Sequence, residues 1–224
     1  MAMVGAGGVL YLTPMVFHRE AFSASSVGDG LALAALAGTG GRLVSGLLLD
    51  RGCRSSLPVI LTVLFALAGD AVLLTAETSL PYLLGQVLLG TAVGFYWPAI
   101  ELAVPLCATP IPSARGFALV RSADALGIAA GALVGALLAL GGQLRGIYLV
   151  DLTGLTLMAA LLLHRPLPAS SHRAGNHDRD TPWQRWLPAL VPMLAITVLA
   201  TALPALMQSA LPIDLLRGSL QRPP

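Results

Sequence analysis

Apolar runs of about 20 residues follow one another along this chain with only short polar breaks between them, and each is long enough to cross roughly 30 Å of hydrocarbon. The runs are continuous. Spanning β-strands alternate apolar and polar residues, so a β-barrel is excluded. In lipid every backbone N–H and C=O must find its partner inside the segment, which leaves the helix. Composition agrees, because 56% of the 224 residues are hydrophobic and only 11% are charged. No soluble domain of this size carries that balance. The expected fold is all-α, a polytopic transmembrane helical bundle of about seven helices.

The first run, Ala2 to Phe17, has neither a basic leader nor a small-residue cleavage site, so it is not a secretory signal. It is short for a span. That shortness predicts residues before Met1, or a misassigned start. Further helices are expected at about Val27–Leu49, Leu57–Ala76, Pro81–Leu106, Arg115–Leu140 and Ile147–Leu163. Pro81 is tolerated in a first turn, whereas Pro110 and Pro112 make the connection Ala108–Ser113 non-helical. From Arg165 to Arg185 the composition turns to Pro, Ser, His, Asp and Arg. The resulting organisation is a six-helix transmembrane bundle over 1–164, a loop over 165–185, and a seventh helix from Trp186 to about Ala210 with its tail over 186–224.

Arginine placement sets the expected orientation. All 13 basic residues are arginine. Arg51, Arg54, Arg115, Arg165, Arg173, Arg179 and Arg185 fall on one side, against Arg19 and Arg145 between helices on the other. The richer side is expected to be cytoplasmic. A multi-pass protein of the cell (inner or plasma) membrane follows, with loops 50–56, 108–114 and 165–185 inside. Tyr82, Tyr148, Trp183 and Trp186 are read as interfacial anchors. Cys53 and Cys107, both at the inner helix ends, are read as free thiols.

Between the second and third runs the chain reads GLLLDRGCR, from Gly46 to Arg54. Asp50 ends its helix where the macrodipole is already negative, which costs roughly 0.3–1 kcal/mol unless a cation or another helix N-terminus answers it. The acid needs a partner. Arg51 and Arg54 supply nearby positive charge, and Gly46 leaves room for a neighbouring helix. The pattern of Gly46, Asp50, Arg51, Gly52 and Arg54 resembles the loop between helices 2 and 3 of the Major Facilitator Superfamily, except that Gly52 follows Arg51 directly and Ser55 follows Arg54. The resemblance implies a conformational latch, in which the aspartate engages the second half of a transporter. It also implies a chain of about twice this length, with helices 8 to 12 absent here.

Charges inside spans are costly and therefore informative. By helical rise Arg42 lies roughly 12 Å from Asp50 and Asp124 roughly 13 Å from Arg115, both approaching the midplane. Two readings are open. They line a substrate or proton site, or they are structural, either as an ion pair or with the arginine reaching to the inner interface. Helix 4 reads QVLLGTAVGFYWPAIE. Gly90 and Gly94 have the spacing of close helix packing, and Tyr96, Trp97 and Pro98 suit a cavity wall, with lipid-facing packing as the alternative. Tyr11 and Pro14 echo them in helix 1, which corresponds to helix 4 in the superfamily's inverted repeats. Similar family members often have an arginine, linked to proton coupling, where Gln86 stands. Asp70, Gln86 and Asp151 share a depth near the outer surface, as a wetted vestibule or a coupling-ion site. Glu101 and Arg121 share a depth near the inner one and are expected to pair. In helix 5, Gly127, Gly131 and Gly135 form a glycine ridge resembling the drug-antiporter signature, without its proline; as simple packing it needs no such role.

Other chemistries find little support. His172, His177, Asp178 and Asp180 match no strong ligand spacing, so no metal is expected. Ser45 and Gly46 lack the nearby base an intramembrane protease requires. No ATPase-type phosphate loop is present, and no cofactor or nucleic-acid partner is expected. Two functions remain. The first is a secondary active transporter working by alternating access on a small molecule, with proton-coupled efflux as one form of it. Its partners are the lipid bilayer, the substrate, and either a missing C-terminal half or a second copy. The alternative is a non-transporting membrane scaffold, assembly partner or inactive transporter remnant. An enzyme is not expected.

Overall fold

The computed structural model describes residues 2–107, 111–167, 188 and 190–198. The chain divides into two units, Met1–Ser171 and His172–Pro224. The first contains α1 (Ala2–Arg19), α2 (Ala24–Asp50), α3 (Ser56–Thr75), α4 (Ser79–Cys107), α5 (Ser113–Leu140) and α6 (Gly146–His164). In the second, residues 190–198 are helical. The rest of the expected seventh helix, most of the 165–185 loop with its two histidines, and the expected interfacial tryptophans Trp183 and Trp186 lie outside the described residues. Among the described residues five helices, α2 to α6, are long and apolar enough to cross a membrane.

Helix ends fall within about one turn of the positions expected from the sequence, and local chemistry explains where they stop. Ser23 caps α2 by accepting from the Ser26 N–H at 3.1 Å. The C-terminus of α2 closes with Gly52 at φ 81°: the Cys53 N–H reaches Leu48 O and the Gly52 N–H reaches Leu49 O, at 3.1 and 2.9 Å. This is a Schellman cap, and glycine suits its left-handed residue. The α5 end repeats it with Gly142 at φ 73°, Gln143 bonding Leu138 O and Gly142 bonding Ala139 O. At the end of α1 the same cap carries Ala21 at φ 63°, with the following Phe22 edge-on to Phe17 at 5.2 Å. That ring contact is the hydrophobic closure such caps often add.

Packing follows a repeat. α4 lies mainly against α2 and α3, and α1 lies mainly against α5 and α6, while α3 meets α6. Exchanging α1 with α4, α2 with α5 and α3 with α6 maps one set of contacts onto the other, as expected for two three-helix repeats. Glycines make both main crossings. A Cβ on Gly90 would strike the Ala34 backbone, and one on Gly94 would strike Gly38 O, which joins α4 to α2. A Cβ on Gly131 would strike Val4 O, and one on Gly7 would lie 2.7 Å from the Ile128 Cα, which joins α5 to α1. The apolar interior between α3, α4 and α6 holds Val59, Val63, Ala66, Ala92, Ala99, Leu155 and Leu162.

The connections α1–α2, α3–α4 and α5–α6 share one end, called upper here. Arg145 ties all three: it donates to the Leu74 and Ala76 carbonyls at 2.7 Å each and pairs with Glu20 at 3.2 Å. At the lower end Ser56 Oγ reaches Leu167 O at 3.3 Å. Tyr82 and Tyr148 correct an expectation. Both are fully buried rather than placed in an interfacial belt. Tyr82 donates to Val27 O at 3.0 Å against Phe17 and Phe22, and the Tyr148 hydroxyl meets that of Thr13 at 3.1 Å.

Candidate functional site

The lower half of α4 is built around Pro98, which the helix passes without ending. A proline inside a helix removes the bond to the carbonyl four residues back, here Gly94 O, and hydroxyls on neighbouring helices hold the turn by bonding carbonyls on either side of it. Ser45 of α2 donates to Phe95 O and Thr62 of α3 donates to Ala92 O, each at 3.1 Å. Ser45 is fully buried, so its hydroxyl is a structural donor. These bonds fix the turn that carries Tyr96 and Trp97.

On that turn a cluster of aromatic and charged groups joins α4 to α5. The Tyr96 and Trp97 rings meet edge-on at 5.2 Å. Arg121 of α5 lies with its guanidinium carbon 4.0 Å from the Trp97 ring centroid and donates to Glu101 Oε1 at 2.9 Å. Asp124, one turn along α5, is buried with one carboxyl oxygen lacking a donor, and it stands in the field of Arg121 and near Tyr96. The sequence expectation that Glu101 pairs with Arg121 holds. By helical rise Arg121 stands roughly 12 Å and Asp124 roughly 16 Å from the start of α5. Side chains of Arg121 and Glu101 are 54% and 53% exposed on the six-helix unit. At that depth a charge facing hydrocarbon is costly, so such a surface calls for water or protein against it.

The loop after α2 presents Asp50, Arg51 and Arg54 exposed. The ion pairs among the described residues, Arg121–Glu101 and Arg145–Glu20, use none of them. Gly46 departs from the expectation of close packing: a Cβ there would have open space within 4 Å among the described residues.

The family model described as Major Facilitator Superfamily matches residues 1–219. The chain belongs to the Major Facilitator Superfamily. It is therefore a multi-pass membrane protein of a transporter family, with the all-helical architecture that its apolar runs require. No curated protein and no solved structure matches it.

Within that family frame, the residues singled out in the sequence fall in three places. Tyr96, Trp97 and Asp124 come together in the α4–α5 cluster. Arg42 does not pair with Asp124: it is exposed on α2, its backbone N packed against Gly94, and the cation beside Asp124 is Arg121. Tyr11 is half-buried in α1, beyond any contact with the cluster that the structure records. Gln86 is buried in the upper half of α4, as are Asp70 in α3 and Asp151 in α6, so these three form no wetted vestibule. Of the helix-packing glycines, Gly90, Gly94 and Gly131 meet neighbouring backbone, Gly135 meets only the flexible Leu12 side chain, and Gly127 is half-buried. Open grooves of about 440 and 420 Å³ lie at the upper connections, near Phe22 and Gly142, away from the α4–α5 cluster.

Sequence reasoning paired Arg121 with Glu101 but missed its place beside Trp97 and Asp124, and missed Ser45 and Thr62 as supports of the Pro98 turn. A signal for the first was present. Trp97 and Glu101 are spaced i,i+4 on α4, and Arg121 and Asp124 are spaced i,i+3 on α5, so each pair shares a helix face. Nothing in the sequence indicates which two faces meet.

Proposed function

We propose that this chain forms the N-terminal half, with helix 7, of a secondary active transporter that moves a small molecule by alternating access. The carrying observation is the exposed Arg121–Glu101 pair against half-buried Trp97, with buried Asp124 beside it, on helices whose charges are costly in contact with lipid. Such a face lines a water-filled pathway when a second bundle, a C-terminal half or a second copy, closes over it. Aromatic rings supply apolar contact, and the exposed Arg121 and Glu101 side chains supply the polar groups that orient a substrate. Arg42 shares the depth of Arg121 and serves the same pathway. Rocking of the two bundles alternates access, and the Asp50 loop, exposed and unpaired within this unit, latches one state by engaging the other bundle. The excess of arginine on the loop's side supports a cytoplasmic position for it, in a cell membrane. Proton-coupled efflux is one form this transport takes.

Trp97 reports directly on this reading. With Trp183 and Trp186 replaced by Phe, Trp97 remains the single tryptophan of the 3 in the chain. In native membranes the proposal predicts quenching by aqueous acrylamide and little quenching by brominated lipid. The reverse pattern would place Trp97 against lipid and favour the scaffold reading.

A further inference from the structure

Where α3 meets α6, below the upper connections, two carboxyl groups face each other inside the protein. Asp70 is 0% and Asp151 3% exposed, and their side chains reach hydrogen-bonding contact. Yet both oxygens of Asp70 and Oδ1 of Asp151 lack any donor. An ionised carboxylate only accepts, so two of them in contact make no bond; a single hydrogen turns the contact into one. Removing it leaves two like charges side by side in the interior.

The surrounding elements supply no cation to relieve them. Arg145, at the start of α6, is engaged by Glu20 and by two carbonyls at the end of α3. Tyr148 of α6 stands in the field of Asp70 with its hydroxyl on Thr13 of α1, and Tyr82 of α4 is committed to Val27 O. On α1, the backbone at Gly5 lies directly over Asp151. From α4, Gly85 packs on Gly69 and Leu73, the turn that contains Asp70, and buried Gln86 follows it. Calcium takes roughly six to eight oxygen ligands and zinc about four ligands, and no group of three or more His, Cys, Asp or Glu side chains gathers among the described residues.

We propose that Asp70 and Asp151 form a proton-binding site, sharing one exchangeable hydrogen that joins α3 to α6. The site stands on this buried contact and not on the transport reading above. Its position gives it a consequence. One packed group is α2, α3 and α4, the other is α1, α5 and α6, and α3 against α6 is the principal contact between them. A proton bound here holds the two groups together at the upper end, and its release to water sets like charges against that junction.

The test is infrared difference spectroscopy on the full chain in lipid nanodiscs at neutral pH. Wild type is expected to show a protonated-carboxyl band that shifts in D2O. Asparagine keeps the carboxyl shape and offers an N–H to the remaining carboxylate, so Asp70→Asn and Asp151→Asn should each remove the band, while Asp124→Asn retains it. If either variant loses helical content, Asp70→Glu and Asp151→Glu, which keep the carboxyl, are read instead, and each should shift the band. Absence of the band in wild type would overturn the proposal, as would its survival in both single variants. Loss of the band on adding sodium at constant pH would assign the site to a metal cation instead.

Discussion

Ala21 occupies a left-handed backbone position that its two counterparts, Gly52 and Gly142, fill with glycine. A Cβ there costs roughly 1–2 kcal/mol, partly offset by the smaller conformational freedom alanine loses on folding, roughly 0.4–1 kcal/mol. Ala21→Gly is therefore expected to stabilise the protein by about 0.5 kcal/mol, read as a higher melting temperature in detergent. An unchanged or lower value would mean that the α1–α2 connection relaxes without the strain assigned to it. The residue scale is also where the sequence was least legible. Tyr82 and Tyr148 occupy helix starts in the manner of interfacial anchors, but helical rise gives a residue's depth and not its direction around the axis. Burial of both rings depends on Val27 and Thr13, on helices distant in the sequence. Asp124 was found by its cost inside a span and the Glu101–Arg121 pair by shared depth, whereas the contact of Arg121 with Trp97 required knowing which faces of α4 and α5 meet.

Elements were far more legible, because a spanning helix is specified by its length of continuous apolar sequence and its ends by proline, serine and glycine. The weakness of that code is rotational. Helices apolar all round carry no stripe that says which face turns inward, so a glycine ridge is visible while its partner is not. The contacts at the glycines therefore make a graded test. Gly131→Ala drives a Cβ into the Val4 carbonyl and Gly90→Ala drives one into the Ala34 backbone, neither of which can yield cheaply. Each is expected to cost about 1–3 kcal/mol or more, the range for overpacking. Gly135→Ala meets only the Leu12 side chain, at 3.0 Å, and should cost less. Gly46→Ala meets open space in this unit and should leave its melting temperature unchanged. Thermal unfolding of the four variants in detergent would check the order; a Gly46 variant as damaging as Gly131→Ala would show that the α2 face is already packed.

For the whole molecule, two three-helix repeats exchange partners, so that α1 and α4 each sit at the centre of a group containing helices from both. Repeat identity was readable only as an echo between Tyr11–Pro14 and Tyr96–Pro98; the exchange of partners depends on contacts between distant helices, which no local pattern encodes. The proposed pathway lies on α4, one of the two central helices, and on α5, so movement of one bundle against another would open it to either side. A static scaffold would leave the same residues permanently on one side or sealed. The decisive measurement is thiol accessibility at Tyr96→Cys, with Cys53 and Cys107 replaced by Ser, using a membrane-impermeant reagent on sealed right-side-out and inside-out vesicles from the native host. Alternating access predicts reaction from both faces of the membrane. Reaction confined to one face, or absent from both, would contradict it.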